Sequence, residues 1–320
     1  MSINWFPGHM VAASDKAKEA LSEHDVVIEV LDARCPGASG NPNIERMRIG
    51  RQRPALKVLN KTDIADPAVT AEWLKYFNSL KNTHAIALSC KKPGEATKVI
   101  AAARKLAPHR QSLVDNTKPL RMLIMGVPNV GKSTLINALL KKRTAKVGDE
   151  PAVTKNQTRY DLGPGLRLTD TPGLMWPHIQ QPSDGLMLAA SHIIGANAYF
   201  ESDAATFLAD LLLVRYPQAM AERYKVVPGS EGMDGVALIE GIAIRRGLRG
   251  RGGEPDFDRA AIALLADYRG GLLGRITLET PQSRAEMLAK KPEPEVVEAD
   301  AGAAAPDAGS ATPQAQDPAA

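Results

Sequence analysis

Short apolar runs alternate with amphipathic stretches in the first half of the chain and predict an α/β fold. Compact apolar runs typical of strands occupy Ala55–Leu59, Ala85–Leu88 and Leu120–Met125. A shorter run, Leu166–Thr169, alternates apolar and polar side chains, as a strand with one buried face does. The stretch Thr134–Leu140 has the pattern of a helix. Together these elements predict a mostly parallel sheet flanked by helices.

A helical pattern replaces the strands later in the chain. Apolar residues recur at helical spacing in Asp184–Ile194, Ala204–Arg215 and Asp258–Arg269, which predict three helices. The apolar run Phe207–Val214 contains an aspartate and is far shorter than the ~18 residues of a membrane helix, so it predicts a core helix. A glycine- and arginine-rich loop, Arg245–Gly253, interrupts these helices. This part of the chain therefore predicts a smaller, helical domain.

A phosphate-binding loop is predicted directly after the strand Leu120–Met125. The segment Gly126–Ser133 matches G-x-x-x-x-G-K-[ST] and leads into the predicted helix. A strand, a glycine loop and a helix N-terminus point backbone N–H groups at one place, which suits a phosphate better than an ordinary glycine turn would. Lys132 would neutralise the β- and γ-phosphates catalytically, and the Ser133 hydroxyl would bind Mg²⁺. The predicted nucleotide contacts of this loop are Asn129, Val130, Gly131, Lys132, Ser133 and Thr134.

Two further phosphate-side elements are expected after this loop. DTPG, at Asp170–Gly173, ends the alternating strand about 40 residues after the loop. A D-x-x-G match is common by chance, but here Asp170 would face Mg²⁺, through a water, and the Gly173 N–H would face the γ-phosphate. Between the two lies Thr154, the candidate for a mobile, catalytic threonine that closes over Mg²⁺ and the γ-phosphate. The alternative for Thr154 is an ordinary loop threonine.

NKTD, at Asn60–Asp63, indicates guanine rather than adenine. The Asp63 carboxylate can accept hydrogen bonds from the ring N–H and the exocyclic amine of guanine, whereas adenine would leave that charge unpaired. Asn60 would hold the loop and the base edge, and the stem of Lys61 would cover the ring plane. All four residues of the motif, including Thr62, are predicted nucleotide contacts.

A second guanine loop is predicted at Ser89–Lys91, after the strand Ala85–Leu88. A backbone N–H from Ser89 or Cys90 would there meet the base oxygen. The guanine motifs precede the phosphate loop, whereas in ordinary GTPases the phosphate loop comes first. This reversed order predicts a circularly permuted P-loop GTPase domain.

The same residues resemble a known family, YlqF/RbgA, ribosome biogenesis GTPase A. The likeness rests on the motif order and on the opening Trp5–Met10, the strand end Leu31–Arg34, DTPG followed by Leu174–Pro177, and Arg245–Gly253. It covers about residues 3 to 285. The chain departs from the family at Cys90, where alanine is commoner, and in its tail.

The resemblance implies a bacterial GTPase that assists a late step in assembly of the large ribosomal subunit, with hydrolysis stimulated by the subunit. It also implies a permuted G domain, which we place at residues 1–178, and a helical RNA-binding domain, at 179–288; residues 289–320 are predicted from their composition to form a disordered acidic tail. Glycines in the loop would let the backbone follow RNA, and its arginines would contact phosphates. The candidate RNA contacts are Arg245, Arg246, Arg249 and Arg251. A solvated surface loop with incidental charge is the alternative.

The group that positions the attacking water is the open question. Leu174 follows Gly173, where Ras-like enzymes keep a glutamine, so intrinsic hydrolysis should be slow. Asn129 lies where several related GTPases hold a potassium ion, which would supply positive charge. His9, in the family's N-terminal signature, is the first candidate for positioning water, with tying down the N-terminal segment as its alternative role. His178 is the second candidate, with an ordinary surface histidine as its alternative.

Composition supports a polyanionic partner. The formal net charge is +4, but residues 291–320 carry one lysine and six acids, so the remainder holds 39 basic and 30 acidic side chains, a net of +9. That tail, rich in alanine, proline and acids, predicts disorder, with a weak contact to the basic body as an alternative. Two cysteines without a C-x-x-C spacing, no membrane-length apolar run and no secretory signal predict a protein of the reducing cytoplasm. We also expect a monomer.

Two other classes of protein stay open at this point. A P-loop metabolic kinase would not need both guanine motifs, and it would need a basic lid over the substrate that accepts the phosphoryl group. An RNA-binding scaffold could use GTP as a structural ligand with negligible hydrolysis. Comparing GTP hydrolysis with and without large ribosomal subunits separates these alternatives.

Overall fold

A six-stranded sheet forms the centre of the computed structural model, which describes residues 9–92, 94–110, 119–141, 157–176, 179, 181–225 and 232–290. Its strands are β1 (Val26–Asp32), β2 (Ala55–Asn60), β3 (Thr83–Ala87), β4 (Leu120–Met125), β5 (Thr158–Asp161) and β6 (Leu166–Asp170). The strand order is β3-β2-β1-β4-β6-β5, and every neighbouring pair is parallel except β5 and β6. The predicted mostly parallel α/β fold is confirmed.

The sheet has a switch point between β1 and β4. From β1 the chain moves outward to β2 and β3, whereas β4 begins the other side of the sheet, which continues to β6 and β5. Ligands of open parallel sheets bind beyond the carboxyl ends of the strands at such a point. Asp32 ends β1, and Met125 ends β4 directly before the predicted phosphate loop. The topology therefore brings the early and the late motifs to one edge.

In the described part of the first half, five α-helices accompany the strands: α1 (His9–Glu23), α2 (Pro42–Gly50), α3 (Pro67–Ser79), α4 (Thr97–Leu106) and α5 (Lys132–Leu140). All seven residues of β1 are buried, as expected of a strand covered on both faces. Val26 and Ile28 join a large core with residues of α4 and α5. Val27, from the opposite face, joins a smaller cluster with residues of α1 and α2. A third cluster packs α3 against the ends of β1 and β2.

Helices dominate the later part of the chain: α6 (Pro182–Ala190), α7 (Glu201–Arg215), α8 (Pro217–Tyr224), α9 (Gly235–Arg245), α10 (Phe257–Arg269) and α11 (Pro281–Ala289). α7 packs against α6, α9 and α10. Buried residues of these helices, such as Leu208, Ile239 and Leu264, belong to the same large core as the strand residues. Met1–Lys290 accordingly form one compact unit, and the acidic tail lies outside the described residues. The boundary between residues 178 and 179 stays a prediction.

The element boundaries correct several predictions. The helix expected over Asp184–Ile194 ends at Ala190, because the chain turns at Ser191 and His192, where the latter has a φ of 58°. Leu88 lies just beyond β3, which ends at Ala87. The predicted pattern did not include seven of the described α-helices, namely α1, α2, α3, α4, α8, α9 and α11, or the strand β5. No helix in the described ranges is long and apolar enough to cross a membrane.

Candidate nucleotide-binding site

The predicted phosphate loop joins β4 to α5 and has the backbone of a phosphate cradle. Asn129 has a φ of 54° and Gly131 a φ of 100°, so two residues of the loop adopt left-handed backbone before α5 begins at Lys132. Gly131 has no room for a side chain, since an added Cβ would lie 2.2 Å from Nδ2 of Asn60. Only glycine meets both conditions there. The loop and the start of α5 supply the N–H groups that bind anions.

Lys132 is 7% exposed and folds back over its own loop. Its Nζ donates hydrogen bonds to the carbonyl oxygens of Gly126 (3.0 Å) and Val127 (2.7 Å). Burial lowers the pKa of Lys132 to about 8, and nearby Asp170 opposes that shift. The ammonium group is thus held at the loop by backbone oxygens, and negative phosphate oxygens would bind it more strongly.

Asp170 ends β6 beside the phosphate loop, opposite Ile124 of β4. It is 1% exposed, and its Oδ1 has no hydrogen-bond partner among the described residues. Burial raises the pKa of Asp170 to about 6, although Lys132 and the backbone of Thr171 act in the opposite direction. A buried carboxylate oxygen without a partner is costly, and a hydrated cation would relieve that cost.

The donor set suits Mg²⁺ bound together with phosphates. Ser133 lies half-buried in the first turn of α5, the helix that follows β4, and β4 is the neighbour of β6, which carries Asp170. The described residues contain no cluster of three or more histidine, cysteine or acidic side chains that could hold a metal alone. Mg²⁺ is commonly bound by one or two protein oxygens, waters and substrate phosphates, which is the pattern these residues fit.

Asn60 connects the guanine motif to the phosphate loop. Its Nδ2 donates to the carbonyl oxygen of Val130 at 2.9 Å, and its Oδ1 accepts the backbone N–H of Cys90 at 3.1 Å. One amide therefore joins the first guanine motif, the second guanine loop and the phosphate loop. These motifs come from three parts of the chain, and the two bonds of Asn60 bring them together in space despite their reversed order.

Asp63 is partly buried and already held by the second guanine loop. The Ser89 hydroxyl donates to Asp63 Oδ1 at 2.8 Å, and Lys91 Nζ lies 3.2 Å from Oδ2. Burial alone would raise the pKa of Asp63, but these two partners outweigh it, so the pKa lies below its ordinary value. Glu95 in turn accepts the Ser89 N–H at 2.7 Å. The carboxylate is kept ionised and oriented, as a guanine acceptor must be.

Lys61 has a φ of 66° and an ion pair that its motif does not reveal. Its Nζ lies 2.8 Å from Oδ2 of Asp32, at the end of β1. Arg34 also binds the Asp32 carboxylate through two nitrogens, at 3.0 and 2.8 Å. Burial raises the pKa of Asp32, but Arg34 and Lys61 outweigh it and hold that pKa well below its ordinary range. Asp32 thereby fixes the head of Lys61, and the contact of the Lys61 stem with the base stays a prediction.

The strand end Leu31–Arg34 was used in the sequence prediction only as part of the family likeness, and this ion pair was not predicted. A carboxylate at the carboxyl end of β1, one strand from β2, is the physical sign that could have identified it. Thr62, the remaining member of NKTD, is bound through its backbone N–H to the carbonyl oxygen of Leu88, at 3.4 Å. The guanine end is therefore assembled from β1, β2 and the loop after β3.

The segment after β6 lies against the phosphate loop. Leu174 donates its N–H to the carbonyl oxygen of Gly126 at 3.1 Å, and Gly173 packs against Pro128. The Leu174 side chain is 3% exposed and lies in the cluster with α1 and α2. Asn41 anchors the same residue by donating to its carbonyl oxygen at 2.7 Å.

Some predicted site residues cannot be placed. Thr154 and His178 lie outside the described residues, and His9 is described only as the first residue of α1. Asn129, the candidate potassium ligand, donates through Nδ2 to the carbonyl oxygen of His192 at 2.9 Å. This bond links the phosphate loop to the turn after α6.

The four candidate RNA-contacting arginines differ in their surroundings. Arg246 forms an ion pair with Asp267, and its guanidinium lies over the ring of Tyr224. Arg245 donates to the Lys225 carbonyl oxygen at 2.9 Å, and Arg249 donates to the Gly253 carbonyl oxygen at 2.6 Å. Arg251 is exposed in the same loop. Arg246 is thus tied into the protein, whereas Arg251 faces solvent.

The fold and the site together define a P-loop GTPase. Its strands form one sheet, but along the chain its guanine motifs precede its phosphate loop, so the motif order is permuted. A family model described as a 50S ribosome-binding GTPase matches residues 121–226. A "Ribosome biogenesis GTPase A" of Bacillus cereus is 40% identical over 90% of this chain and 97% of its own length. One of Thermotoga maritima is 32% identical over 88% and 95%. The chain belongs to the ribosome biogenesis GTPase A family.

A solved structure agrees with this assignment. The GNP-bound structure of YlqF from T. maritima is 26% identical, covers 85% of this chain and 99% of its own, and has a TM-score of 0.58. The protein is therefore an enzyme that hydrolyses GTP, and the metabolic-kinase alternative is wrong.

Proposed function

We propose that this GTPase assists a late step in assembly of the large ribosomal subunit, in the cytoplasm, and that the subunit stimulates its hydrolysis of GTP. The names of its relatives and of the matching family model point to the ribosome. A body with a net charge of +9 before the tail suits rRNA. The exposed Arg251 and the neighbouring Arg245 and Arg249 are the proposed phosphate contacts of the loop.

The burial of Leu174 is the observation that supports slow hydrolysis by the isolated protein and faster hydrolysis with the subunit. The residue after Gly173 packs into the protein and is apolar, so it cannot orient an attacking water. Turnover by the isolated protein should then be slow, and a group that the subunit brings into place should raise it.

We assign the nucleotide contacts by extending the observed geometry. The N–H groups of the phosphate loop would hold the phosphates, and Lys132 would exchange its backbone acceptors for phosphate oxygens. Mg²⁺, when bound, would neutralise charge that develops on the transferring phosphoryl group. Ser133 would bind it directly, and Asp170 would hold one of its waters. Thr154, in the segment between β4 and β6, would close over the same ion.

His9 is the proposed water-positioning residue. α1 packs on Leu123 and Leu174, and it ends at Glu23, close to the amino end of β4, where Asp25 donates its N–H to the Arg121 carbonyl oxygen. A helix of 15 residues spans ~22 Å, so its first residue would lie toward the carboxyl edge, the edge of the phosphates. This direction supports a role for His9 in hydrolysis.

The potassium proposal rests on Asn129. Its Nδ2 is bound to the His192 carbonyl oxygen, which fixes the plane of the amide. An oriented amide oxygen suits a monovalent cation beside the phosphates, where added positive charge stabilises the transition state. We expect potassium to raise turnover and sodium to have less effect.

The test measures GTP hydrolysis with Mg²⁺, in potassium or sodium, with and without large ribosomal subunits. The parent should be slow alone and faster with subunits. His9→Ala should lose most of the stimulated rate and keep its affinity for GTP, as expected when a transition-state interaction is removed. His178→Ala is the matched variant and should keep the stimulated rate.

Other outcomes have definite meanings. Stimulation of His9→Ala equal to the parent would demote His9 to a structural role and move the search to His178 or the rRNA. Binding of GTP and subunits with no hydrolysis under any of these conditions would favour the alternative of an RNA-binding scaffold.

A further inference from the structure

A segment of the later part of the chain, residues 271–279, runs along the loops that follow β1 and β2. We call it the clamp. Ile276 donates its N–H to the carbonyl oxygen of Ile64 at 3.1 Å, and Leu278 donates its N–H to that of Arg34 at 2.6 Å. Ile64 directly follows the guanine-reading Asp63. The clamp therefore bonds to the backbone of two of the loops that build the guanine end, those after β1 and β2.

Thr277 joins these two loops through a single hydroxyl group. Its Oγ1 donates to the carbonyl oxygen of Ala33 at 3.1 Å and accepts the N–H of Asp66 at 3.1 Å. The residue is fully buried. Because buried backbone groups need a partner, loss of this hydroxyl would leave one donor and one acceptor unsatisfied.

The end of the clamp is fixed by Glu279. Its carbonyl oxygen accepts the Trp73 indole N–H at 2.9 Å, and its Oε1 accepts the N–H of Ala38 at 2.7 Å. Trp73 is buried in α3, the helix that follows the guanine motif. The clamp is thus anchored at both ends against the elements around NKTD.

Gly271 lies close to the Ile64 side chain, in the loop that follows the guanine motif. It has a φ of +75°, and an added Cβ would lie 2.6 Å from Cγ2 of Ile64. Real Cβ atoms are essentially never found at that distance, so an added side chain would force Ile64 to shift or the two segments to move apart. Gly274, in the same segment, has a φ of +89° and open space around its Cβ position. Gly274 is therefore a matched control for the backbone cost.

We infer that Gly271 and Thr277 are positioning residues for guanine recognition, which hold the Asp63 backbone where its carboxylate meets the base. Ser89 and Lys91 orient the Asp63 side chain, whereas the clamp fixes the chain on its other side. Two hydrogen bonds to the base edge tolerate little displacement, so the clamp would determine guanine affinity and selectivity. This inference rests on the proposed role of Asp63.

The first experiment compares Gly271→Ala with Gly274→Ala in the full-length protein. Affinities for GDP and for inosine diphosphate, which lacks the exocyclic amine, are measured by fluorescent-nucleotide competition. Gly271→Ala should weaken GDP binding about tenfold and bring the two affinities closer together. Gly274→Ala pays the same left-handed backbone cost and should keep the parental ratio. A mere loss of stability would leave that ratio unchanged.

A second-site change tests the contact directly. Ile64→Ala removes the Cγ2 atom, and the next nearest atom to the new Cβ would then be Ile64 Cβ at 3.5 Å, an ordinary contact distance. The double variant Gly271→Ala with Ile64→Ala should recover most of the guanine selectivity. A double variant as poor as Gly271→Ala alone would contradict the proposed contact.

Thr277 gives a test that does not depend on glycine. Thr277→Val keeps the shape and loses the hydroxyl, whereas Thr277→Ser keeps the hydroxyl. Thr277→Val should raise KM for GTP several-fold with kcat at saturation little changed, since the phosphate end is untouched, and Thr277→Ser should restore KM. Melting temperatures identify any variant that fails to fold.

The variant Asp63→Asn distinguishes a failure of the clamp inference from a failure of the guanine assignment. If Asp63→Asn alters guanine selectivity but Gly271→Ala and Thr277→Val do not, the clamp inference is wrong and the guanine assignment stands. If Asp63→Asn has no effect on selectivity, both are wrong.

Discussion

The guanine end and the phosphate end of the site are held in opposite ways. At the guanine end, Asp63 has a hydroxyl and an ammonium partner, and Lys61 has the carboxylate of Asp32. At the phosphate end, Lys132 donates to carbonyl oxygens of its own loop, and Asp170 keeps a buried oxygen with no hydrogen-bond partner among the described residues. One end is paired internally, and the other is arranged to receive charge from a ligand.

This difference follows from what each end must do. Selectivity for a base requires a rigid pattern of acceptors, which internal partners provide at little reorganisation cost. Chemistry on a phosphate requires charges that become strongly paired only when the nucleotide and its metal are present. The pKa shifts reflect this contrast. Burial lowers the pKa of Lys132 and raises that of Asp170, which favours the neutral form of each group. The partners of Asp63 instead lower its pKa and keep it ionised.

The largest expected effect is at the phosphate end. Lys132→Ala should lower the rate of GTP hydrolysis on the order of 10²- to 10³-fold, because it removes a preorganised positive charge from the transferring phosphate. The fold should persist, since the side chain bonds only within its own loop among the described residues. Single-turnover hydrolysis measures the loss, and the exposed Lys105→Ala is the charge-matched control. Parental turnover in Lys132→Ala would rule out the phosphate-loop assignment.

A slightly smaller effect is expected at the guanine end. Asp63→Asn should weaken GTP binding roughly 100-fold, because a buried donor of the base would lose its charged acceptor. The same variant should bind xanthosine nucleotides better, since the amide can donate to the additional carbonyl of that base. Competition between GTP, XTP and ATP measures the change. Equal affinity of the parent for ATP and GTP would contradict the assignment.

Much of both ends of the site could be predicted from the sequence. Local motifs identified both loops, because the spacing of Gly131, Lys132 and Ser133 is dictated by backbone geometry at a helix start. The strand Leu120–Met125 was predicted to the residue, because all of its side chains except Arg121 are buried and apolar, whereas the other predicted strands differ by one or two residues at an end.

Contacts between distant residues were beyond sequence reasoning. The bond from Thr277 to Ala33 spans 244 positions, and that from Asn129 to His192 spans 63. No local pattern specifies such partners, since a buried threonine or asparagine can satisfy its polar atoms in many ways. The early end of α6 was missed for a related reason: the left-handed His192 stops a helix whose apolar spacing continues.

The unpaired Asp170 gives the nucleotide-free protein a testable pH dependence. Burial raises its pKa from 3.8 to about 6, so the folded protein binds this proton more tightly than the unfolded chain does. Stability from this group is therefore present at pH 4 and is lost as pH rises toward 6. Asp170→Asn should be about 1 to 3 kcal/mol more stable than the parent at pH 7, with little difference at pH 4.

Denaturant unfolding at several pH values measures this difference. Glu279 is the necessary control, because burial raises its pKa to about 7 and gives a slope of the same sign over a window that extends to higher pH. Glu279→Gln should leave the loss that is centred below pH 6. Saturating Mg²⁺ and GDP should reduce the difference between Asp170→Asn and the parent. A constant difference at all pH values would show that Asp170 is not the titrating group.

The smallest effects are expected for two arginines of the glycine- and arginine-rich loop. Like the two ends of the nucleotide site, they differ in whether the protein itself supplies a charged partner. Arg246 is paired with Asp267, whereas Arg251 is exposed. Arg251→Ala should weaken binding to large subunits a few-fold and reduce the slope of log affinity against log salt by about 1, with unchanged stability. Arg246→Ala should instead cost about 0.5 to 1 kcal/mol of stability, because Asp267 retains Arg223 and Tyr224 as partners. Salt-dependent co-sedimentation and denaturant unfolding distinguish them, and an unchanged salt slope in Arg251→Ala would assign that arginine to the solvated surface.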